Sequence, residues 1–143
     1  MIKQLKTAFS AIFSMAMPPA EVFSQVKLED EEAVRAAALD YVQGWYEADG
    51  ARMQRALHPD LAKRGLVDED LQPISAADLV DLTKNGMGKN QAGKKEKVIT
   101  VLDIVDSIAT VKVVSDQFND YLHLGKINGT WAIVNVLWAY KKQ

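Results

Sequence analysis

The sequence predicts an α+β domain with helices in its first half and antiparallel strands in its second. After residue 29, apolar residues recur at steps of three and four, which is typical of a helix with one buried face. From Glu96 onward the chain is rich in β-branched and aromatic residues. Asn128-Gly129 separates two of these runs and is a strong signal for a two-residue hairpin turn. This order indicates helices packed on one face of a sheet.

Three helices are predicted. The carboxylates of Glu29–Glu32 favour a helix start, and Asp49-Gly50 ends this long first helix, with the glycine in the left-handed conformation. A short second helix covers residues 51–57. The sequence SAAD at Ser75–Asp78 resembles a capping box and begins a third helix, which Asn85-Gly86 ends. The buried face of the first helix is predicted to consist of Val34, Ala37, Ala38, Tyr41, Val42, Trp45 and Ala48.

The sequence LHPDLAKR, which follows the second helix, admits a catalytic and a structural interpretation. Proline disfavours helical geometry in the residue before it, so the helix stops at His58, and Pro59-Asp60 fits a turn. No serine or cysteine lies beside the histidine, so no catalytic triad is assembled locally. We therefore predict a turn, with His58 and Asp60 hydrogen-bonded to the backbone and with Lys63 and Arg64 in solvent.

The second half is predicted to form four strands, at residues 97–105, 108–115, 117–127 and 130–140. The Asn-Gly turn pairs Ile127 with Thr130 and fixes the register of the last hairpin. With regular alternation, this register places Asp120 and Asn135 as diagonal neighbours on the face that the helices cover.

Asp120 is the candidate catalytic residue. A desolvated carboxylate has a raised pKa, which suits a general acid or base near neutral pH. Two structural alternatives stay open: Asn135 satisfies Asp120, or Asp120 lies near the rim of the sheet and meets water.

The predicted sheet is apolar on both faces, and the helices can cover only one of them. The simplest cover for the outer face is a second copy of the chain. We therefore expect a homodimer through the outer sheet face, with His123 at the interface.

The composition limits the kinds of function. At 143 residues the chain is long enough for one domain, and 17 Lys and Arg against 19 Asp and Glu give no basic face, so no nucleic-acid partner is expected. Without cysteine the chain cannot form disulfides, thiolate nucleophiles or cysteine-ligated zinc. With two histidines it cannot form a three-histidine metal site, although a mixed histidine–carboxylate site stays formally open. We expect no metal and no cofactor.

Residues 1–25 permit two interpretations. Lys3 and Lys6 precede an apolar run, and Val22-x-Ser24 resembles a cleavage site, as in a secretory signal peptide. The same apolar residues fall on one helical stripe, which fits an amphipathic segment equally well. Because the run is too short to span a bilayer, no stable membrane anchor is expected. The domain is predicted at residues 26–143, periplasmic or secreted if the segment is cleaved and cytoplasmic otherwise.

Two motifs, Y-V-x-G-W-Y-x-x-D from Tyr41 and L-H-P-D-L-x-x-R from Leu57, together with the strand sequence INGTWAIVNVLWAY, resemble the "putative lumazine-binding" family. This family lies within the nuclear transport factor 2-like superfamily, near the SnoaL-like proteins. The resemblance runs from Glu29 to the end of the sequence. It implies a cone of helices against a curved, mostly antiparallel sheet that encloses an apolar pocket, usually in a dimer. It implies no activity.

The resemblance leaves three functions to compare. The first is binding of an unidentified small molecule in the pocket, and the second is an enzyme of the isomerase, dehydratase or cyclase type with Asp120 as general base. Enzymes of this fold, such as ketosteroid isomerase and scytalone dehydratase, place carboxylates, tyrosines or histidines inside the cone, but this sequence shows no complete catalytic motif of theirs. The third is an interaction protein whose interior is filled by side chains. The candidate ligand-binding residues are Tyr41, Trp45, Tyr46, Arg64, Trp131 and Asn135.

Overall fold

The computed structural model describes residues 18–143, which contain three helices and six strands. The helices are α1 (Pro19–Glu47), α2 (Gly50–Ala56) and α3 (Ala76–Lys84). The strands are β1 (Leu57–Val67), β2 (Asp70–Ile74), β3 (Lys97–Val105), β4 (Ile108–Ser115), β5 (Phe118–Ile127) and β6 (Thr130–Tyr140). The chain divides into two compact units, residues 1–32 and residues 33–143.

In the first unit, the described residues form the beginning of α1. This helix starts at Pro19 and not at Glu29, and proline is well suited to a first helical position because its missing N–H has no partner there anyway. The segment exposes Val22, Phe23, Val26 and Leu28. The predicted signal peptide or amphipathic segment falls mostly on residues 1–17, which lie outside the described residues. Within residues 18–143, no helix is long and apolar enough to cross a membrane.

In the second unit, the predicted helices are confirmed, but the end of α1 differs from the prediction. Ala48, with a φ of 55°, takes the left-handed conformation that we expected at Gly50. The side chain of Asp49 accepts a hydrogen bond from the backbone N–H of Arg52 and so caps α2, which begins at Gly50. The Ser75 hydroxyl caps α3 in the same way, by accepting from the backbone N–H of Asp78 at 3.1 Å.

The sheet has the strand order β2-β1-β6-β5-β4-β3. β1 pairs with β6 in parallel, and the other neighbours are antiparallel. The prediction of a turn at LHPDLAKR was wrong, because this sequence belongs to β1. Its burial alternates, with Leu61, Lys63 and Gly65 buried and the residues between them exposed. His58 still serves the backbone as predicted, since its Nδ1 accepts the N–H of Asp60 at 3.0 Å.

The register of the β5–β6 hairpin starts as predicted and then shifts. Ile127 pairs with Thr130 and Leu124 with Ile133, but His123 pairs with Asn135, so Val134 forms a bulge. One extra residue reverses the face of every side chain that follows it. Asn135 therefore lies on the outer face, where its Nδ2 is 3.2 Å from Nδ1 of His123, and the prediction that it neighbours Asp120 was wrong.

The core of the second unit lies between the helices and the inner face of the sheet. It contains the buried side of α1 and the inward residues of β4, β5 and β6. The α+β class and the mostly antiparallel sheet are confirmed. The largest fully buried apolar side chains of this core are Met53, Leu122, Leu124, Ile133, Val34, Val111, Val113 and Val136.

A candidate ligand-binding site between the helices and the sheet

A cavity of about 360 Å³ lies within residues 33–143. Helices α1, α2 and α3, the loop after α3 and the inner face of the sheet all contribute to its wall. A volume of this size is typical of small-molecule sites in proteins. The lining residues are Tyr41, Val42, Trp45, Met53, Lys63, Gln72, Pro73, Ile74, Leu79, Leu82, Met87, Gln91, Ser115, Phe118, Asp120, Trp138 and Tyr140.

Four aromatic side chains form one wall of the cavity. The ring centroids of Phe118 and Trp138 are 5.1 Å apart, those of Trp138 and Tyr140 are 5.2 Å apart, and each pair meets edge to face. Trp45 extends the wall from α1, with its ring 6.5 Å from that of Phe118. Such contacts hold the rings in fixed orientations and give the cavity an apolar wall.

Three polar side chains from three elements meet at the cavity. Lys63 of β1 donates a hydrogen bond from Nζ to the Tyr41 hydroxyl of α1, over 2.5 Å. The Tyr41 hydroxyl also lies beside the carboxylate of Asp120 on β5, close enough for each group to shift the pKa of the other. The ammonium group of Lys63 also lies 5.1 Å from the ring centroid of Tyr41 and 5.6 Å from that of Trp138. We call Tyr41, Lys63 and Asp120 the polar triad of the cavity.

Burial disfavours the charged form of each member of the polar triad and shifts its pKa accordingly. Burial raises the pKa of Asp120, against the opposing effects of the Lys63 charge and the Tyr41 hydrogen bond. Burial lowers the pKa of Lys63 to about 8, although the charge of Asp120 acts in the other direction. Burial and the charge of Asp120 together raise the pKa of Tyr41 well above its ordinary value. The pKa values of Asp120 and Lys63 are therefore closer to each other than those of the same groups in water.

Two buried polar atoms at the cavity have no hydrogen-bond partner within residues 18–143. They are Oδ1 of Asp120, an acceptor, and Nε1 of Trp138, a donor. Buried polar groups are normally hydrogen-bonded, and an unpaired one costs about 1–3 kcal/mol. Both atoms belong to residues that line the cavity, so the site contains one unpaired acceptor and one unpaired donor.

The structure brings some of the candidate site residues to the cavity and places others elsewhere. Tyr41, Trp45 and Asp120 line it. Tyr46 does not, because its hydroxyl donates to the backbone carbonyl of Glu96 at 2.6 Å and accepts from the N–H of Asp116 at 2.8 Å. These two hydrogen bonds hold α1 against the backbone just before the start of β3 and just after the end of β4.

The remaining candidates lie away from the cavity lining. Arg64 is exposed, because it follows Lys63 and alternate residues of a strand face opposite ways. Trp131 is buried in the core, and Asn135 is on the outer face beyond the bulge. The sequence interpretation missed Lys63, which it placed in solvent. The signal for it was the alternation of Leu61, Lys63 and Gly65, which predicts a strand with one buried face.

No cluster of side chains suited to a metal occurs in the part of the chain that the structure describes. Groups of three or more histidine, aspartate or glutamate side chains close enough to hold an ion are absent from residues 18–143. Asp120 is the one carboxylate that lines the cavity, and its described neighbours are a phenol, an amine and an indole. This donor set fits an organic ligand better than a metal ion.

A family model described as "Putative lumazine-binding" matches residues 29–139. The chain belongs to this family. The putative lumazine-binding family model covers β1 to β5, β6 as far as residue 139 and the part of α1 that carries the buried face, so the polar triad lies within the matched region. No curated protein matches the chain.

Solved structures show the same fold as this member of the putative lumazine-binding family. A nuclear transport factor 2-like protein from Methylobacillus flagellatus has 27% identity and a TM-score of 0.67, over 80% of this chain and 94% of its own. One from Silicibacter pomeroyi has 17% identity and a TM-score of 0.67, over 80% and 98%. A ketosteroid isomerase-like protein from Erwinia carotovora has 14% identity and a TM-score of 0.56, over 78% and 96%. The predicted nuclear transport factor 2-like fold is confirmed.

Proposed function

We propose that the domain binds a small, partly aromatic molecule in the cavity. The single observation that carries this proposal is the pair of unpartnered polar atoms, Oδ1 of Asp120 and Nε1 of Trp138, in residues that line a mostly apolar and aromatic cavity. A ligand that offers a donor and an acceptor satisfies both atoms and covers the rings of Trp45 and Phe118. Membership of a family described as ligand-binding supports the same function.

A pair of tryptophan variants tests this proposal. Trp138→Phe keeps an aromatic ring in the wall but removes the Nε1–H donor, whereas Trp131→Phe changes a buried tryptophan that does not line the cavity. Binding of a set of small aromatic lactams and phenols is followed by ligand-observed NMR. We expect hits on the wild-type protein that bind Trp138→Phe about tenfold more weakly, which corresponds to the loss of one hydrogen bond. An equal effect of both substitutions, or no hits on the wild-type protein, contradicts the proposal.

The second candidate function is an enzyme of the isomerase, dehydratase or cyclase type with Asp120 as general base. The raised pKa of this buried carboxyl and the neighbouring Tyr41 hydroxyl favour it, because they provide a base and a group beside it that can carry a proton. The similarity to the ketosteroid isomerase-like protein concerns the fold and adds no residue role.

Asp120→Asn separates these functions, because the amide has nearly the same shape but cannot take up the proton. For any ligand identified by NMR, a loss of turnover above about 100-fold with unchanged affinity indicates the enzyme. A loss of affinity with unchanged thermal stability indicates a binding protein. A change in thermal stability alone, with affinity and turnover unchanged, makes Asp120 structural and contradicts its role in either function.

We also propose that the chain forms a homodimer through the outer sheet face. This face exposes Val98, Leu102, Val105, Ile108, Tyr121 and Leu137. Apolar side chains grouped on one sheet face are typical of a protein interface. Sedimentation velocity tests this proposal with Leu137→Lys on the outer face and Leu39→Lys on α1 as the matched control. We expect a wild-type dimer, a monomer for Leu137→Lys and a dimer for Leu39→Lys; a wild-type monomer contradicts it.

A further inference from the structure

Lys63 is the one lysine that lines the cavity, and its surroundings differ from those of a structural lysine. It is almost fully buried, and its hydrogen-bond partner within residues 18–143 is the Tyr41 hydroxyl, not a carboxylate. An ammonium group has three donors, and buried ammonium groups are normally paired with a charge and fully hydrogen-bonded. The charge of Asp120 and the rings of Tyr41 and Trp138 offset only part of the cost of burying the ammonium group, since the pKa of this lysine remains lowered.

We propose that Lys63 is a nucleophile that forms an imine with an aromatic aldehyde or ketone held in the cavity. The inference rests on the proposed function, since the carbonyl compound must first enter the cavity. It adds a covalent step that small-molecule binding does not require. Lysine amines that react in this way are typically desolvated in apolar pockets, as Lys63 is.

The reaction needs the neutral amine, and the cavity favours it. With a pKa of about 8, about a tenth of Lys63 is neutral at pH 7. An ordinary lysine with a pKa near 10.4 is neutral in roughly one molecule in 2,500 at the same pH. Lys63 thus presents roughly 200 times more nucleophile than a lysine on the surface.

The polar triad provides the proton transfers that imine formation requires. The ammonium proton of Lys63 leaves through the Tyr41 hydroxyl toward Asp120. The nitrogen lone pair then attacks the carbonyl carbon, and the C–N bond forms as the π bond of the carbonyl breaks. The nitrogen gives a proton to the triad and the oxygen takes one up, which produces a neutral carbinolamine. The nitrogen lone pair next expels the hydroxyl group, which takes a proton from the triad and leaves as water, and the resulting iminium gives its N–H proton to the triad to become the imine. The net change is an amine and a carbonyl converted into an imine and one water.

The residues that line the cavity indicate which class of carbonyl compound it can hold. The rings of Trp45, Phe118 and Trp138 offer stacking surfaces around the amine, so a carbonyl next to an aromatic ring fits best. The unpartnered Nε1–H of Trp138 is a donor for the carbonyl or carbinolamine oxygen. Such a hydrogen bond would stabilise the negative charge that develops on this oxygen during the attack.

Reductive trapping tests this inference on the full chain. The protein is incubated with benzaldehyde at pH 7, sodium borohydride reduces any imine to a stable benzyl amine, and peptide mass spectrometry locates the adducts. The mapping separates Lys63 from the N-terminal amine and from Lys97, an exposed lysine that serves as an internal control. We expect at least tenfold more adduct on Lys63 than on Lys97 at pH 7. The ratio of the two adducts should fall toward pH 10, because Lys97 then also becomes partly neutral. The adduct at this position disappears in Lys63→Arg.

If Lys63 stays unmodified while surface lysines carry the adduct, the inference is overturned. This comparison needs only the wild-type protein and does not depend on whether any variant folds. Benzyl alcohol, which has the same ring but no carbonyl, separates this failure from failure of the proposed function. Binding of benzyl alcohol and benzaldehyde to the cavity, seen by ligand-observed NMR, without an adduct on Lys63 overturns the imine and leaves the binding function intact. Absence of both binding and adduct overturns both.

Discussion

Lys63 and Asp120 lie on the inner face of the sheet, where each has lost most of its contact with water. Neither position is explained by the energetics of burial alone, since a methionine and a leucine would fill the same space without a desolvation cost. Positions of this kind are enriched at functional sites, because a carboxyl and an amine with shifted pKa values can exchange protons near neutral pH.

The shifted pKa of Lys63 predicts a pH dependence of stability. Its native value of about 8 lies below the ordinary value of 10.5, so between these values the unfolded chain binds more protons than the native protein. The free energy of unfolding therefore rises with pH across this window, by about 3 kcal/mol for this one group. Urea denaturation of the wild-type protein and of Lys63→Met measures it: the wild type should gain about 3 kcal/mol relative to the variant between pH 7 and pH 10.5.

Lys97→Met provides the control for this measurement, because Lys97 is exposed at the start of β3. The difference in free energy of unfolding between Lys97→Met and the wild type should stay constant within about 0.5 kcal/mol over the same pH range. A constant difference for Lys63→Met as well would mean that Lys63 is not desolvated in the native protein.

At the scale of elements, the sequence predicted the helices and the last four strands from periodicity and turn residues. It failed at β1, because the interpretation was based on proline and on the polar residues, whereas this strand is stabilised by a distant parallel partner, β6, in which Asn135 pairs with Ala62. A local pattern cannot show such a partner. The sequence interpretation found Tyr41 and Asp120 of the polar triad but not Lys63, because Lys63 belongs to the strand that it missed.

The bulge at Val134 is the second feature that the sequence did not reveal. The Asn-Gly turn fixed the first pairs of the hairpin correctly, and a single extra residue then exchanged the faces of Asn135 and Trp138. No side chain near Val134 distinguishes a bulged strand from a regular one. The face of Asp120 was predicted correctly because β5 itself is regular.

The contact between β1 and β6 predicts an effect of Gly65→Ala. A Cβ at Gly65 would overlap the ring of Trp138, whereas a Cβ at Gly125 would meet its nearest atom, Cγ1 of Val134, at 3.8 Å. Gly65→Ala should therefore displace the indole and lower the free energy of unfolding by about 1–3 kcal/mol. Gly125→Ala, the matched glycine of β5, should be neutral or stabilise by about 0.5 kcal/mol.

Urea denaturation and near-UV circular dichroism measure these effects. The tryptophan signal should change in Gly65→Ala and stay as in the wild type in Gly125→Ala. Equal stability of both variants would mean that the indole of Trp138 moves aside without cost, and that this wall of the cavity is not rigid.

At the scale of the whole molecule, the buried hydrophobic residues of the described chain all lie at Val34 or beyond. The domain predicted at residues 26–143 should therefore fold without the preceding residues, with a free energy of unfolding within about 0.5 kcal/mol of the full chain. A chain that starts at residue 36 lacks Val34, which is completely buried, and should lose about 2 kcal/mol. Thermal denaturation of the two shortened chains measures both values. Equal melting temperatures would contradict the role of Val34.

The strand order has a consequence for biosynthesis. β6 is the sixth strand to leave the ribosome, yet it occupies the third place in the sheet, between β1 and β5. Until it arrives, the nascent polypeptide holds two separate sheet fragments with open edges, and exposed edges of this kind promote aggregation. Chaperone demand should thus last until β6 has left the ribosome, however early the helices form.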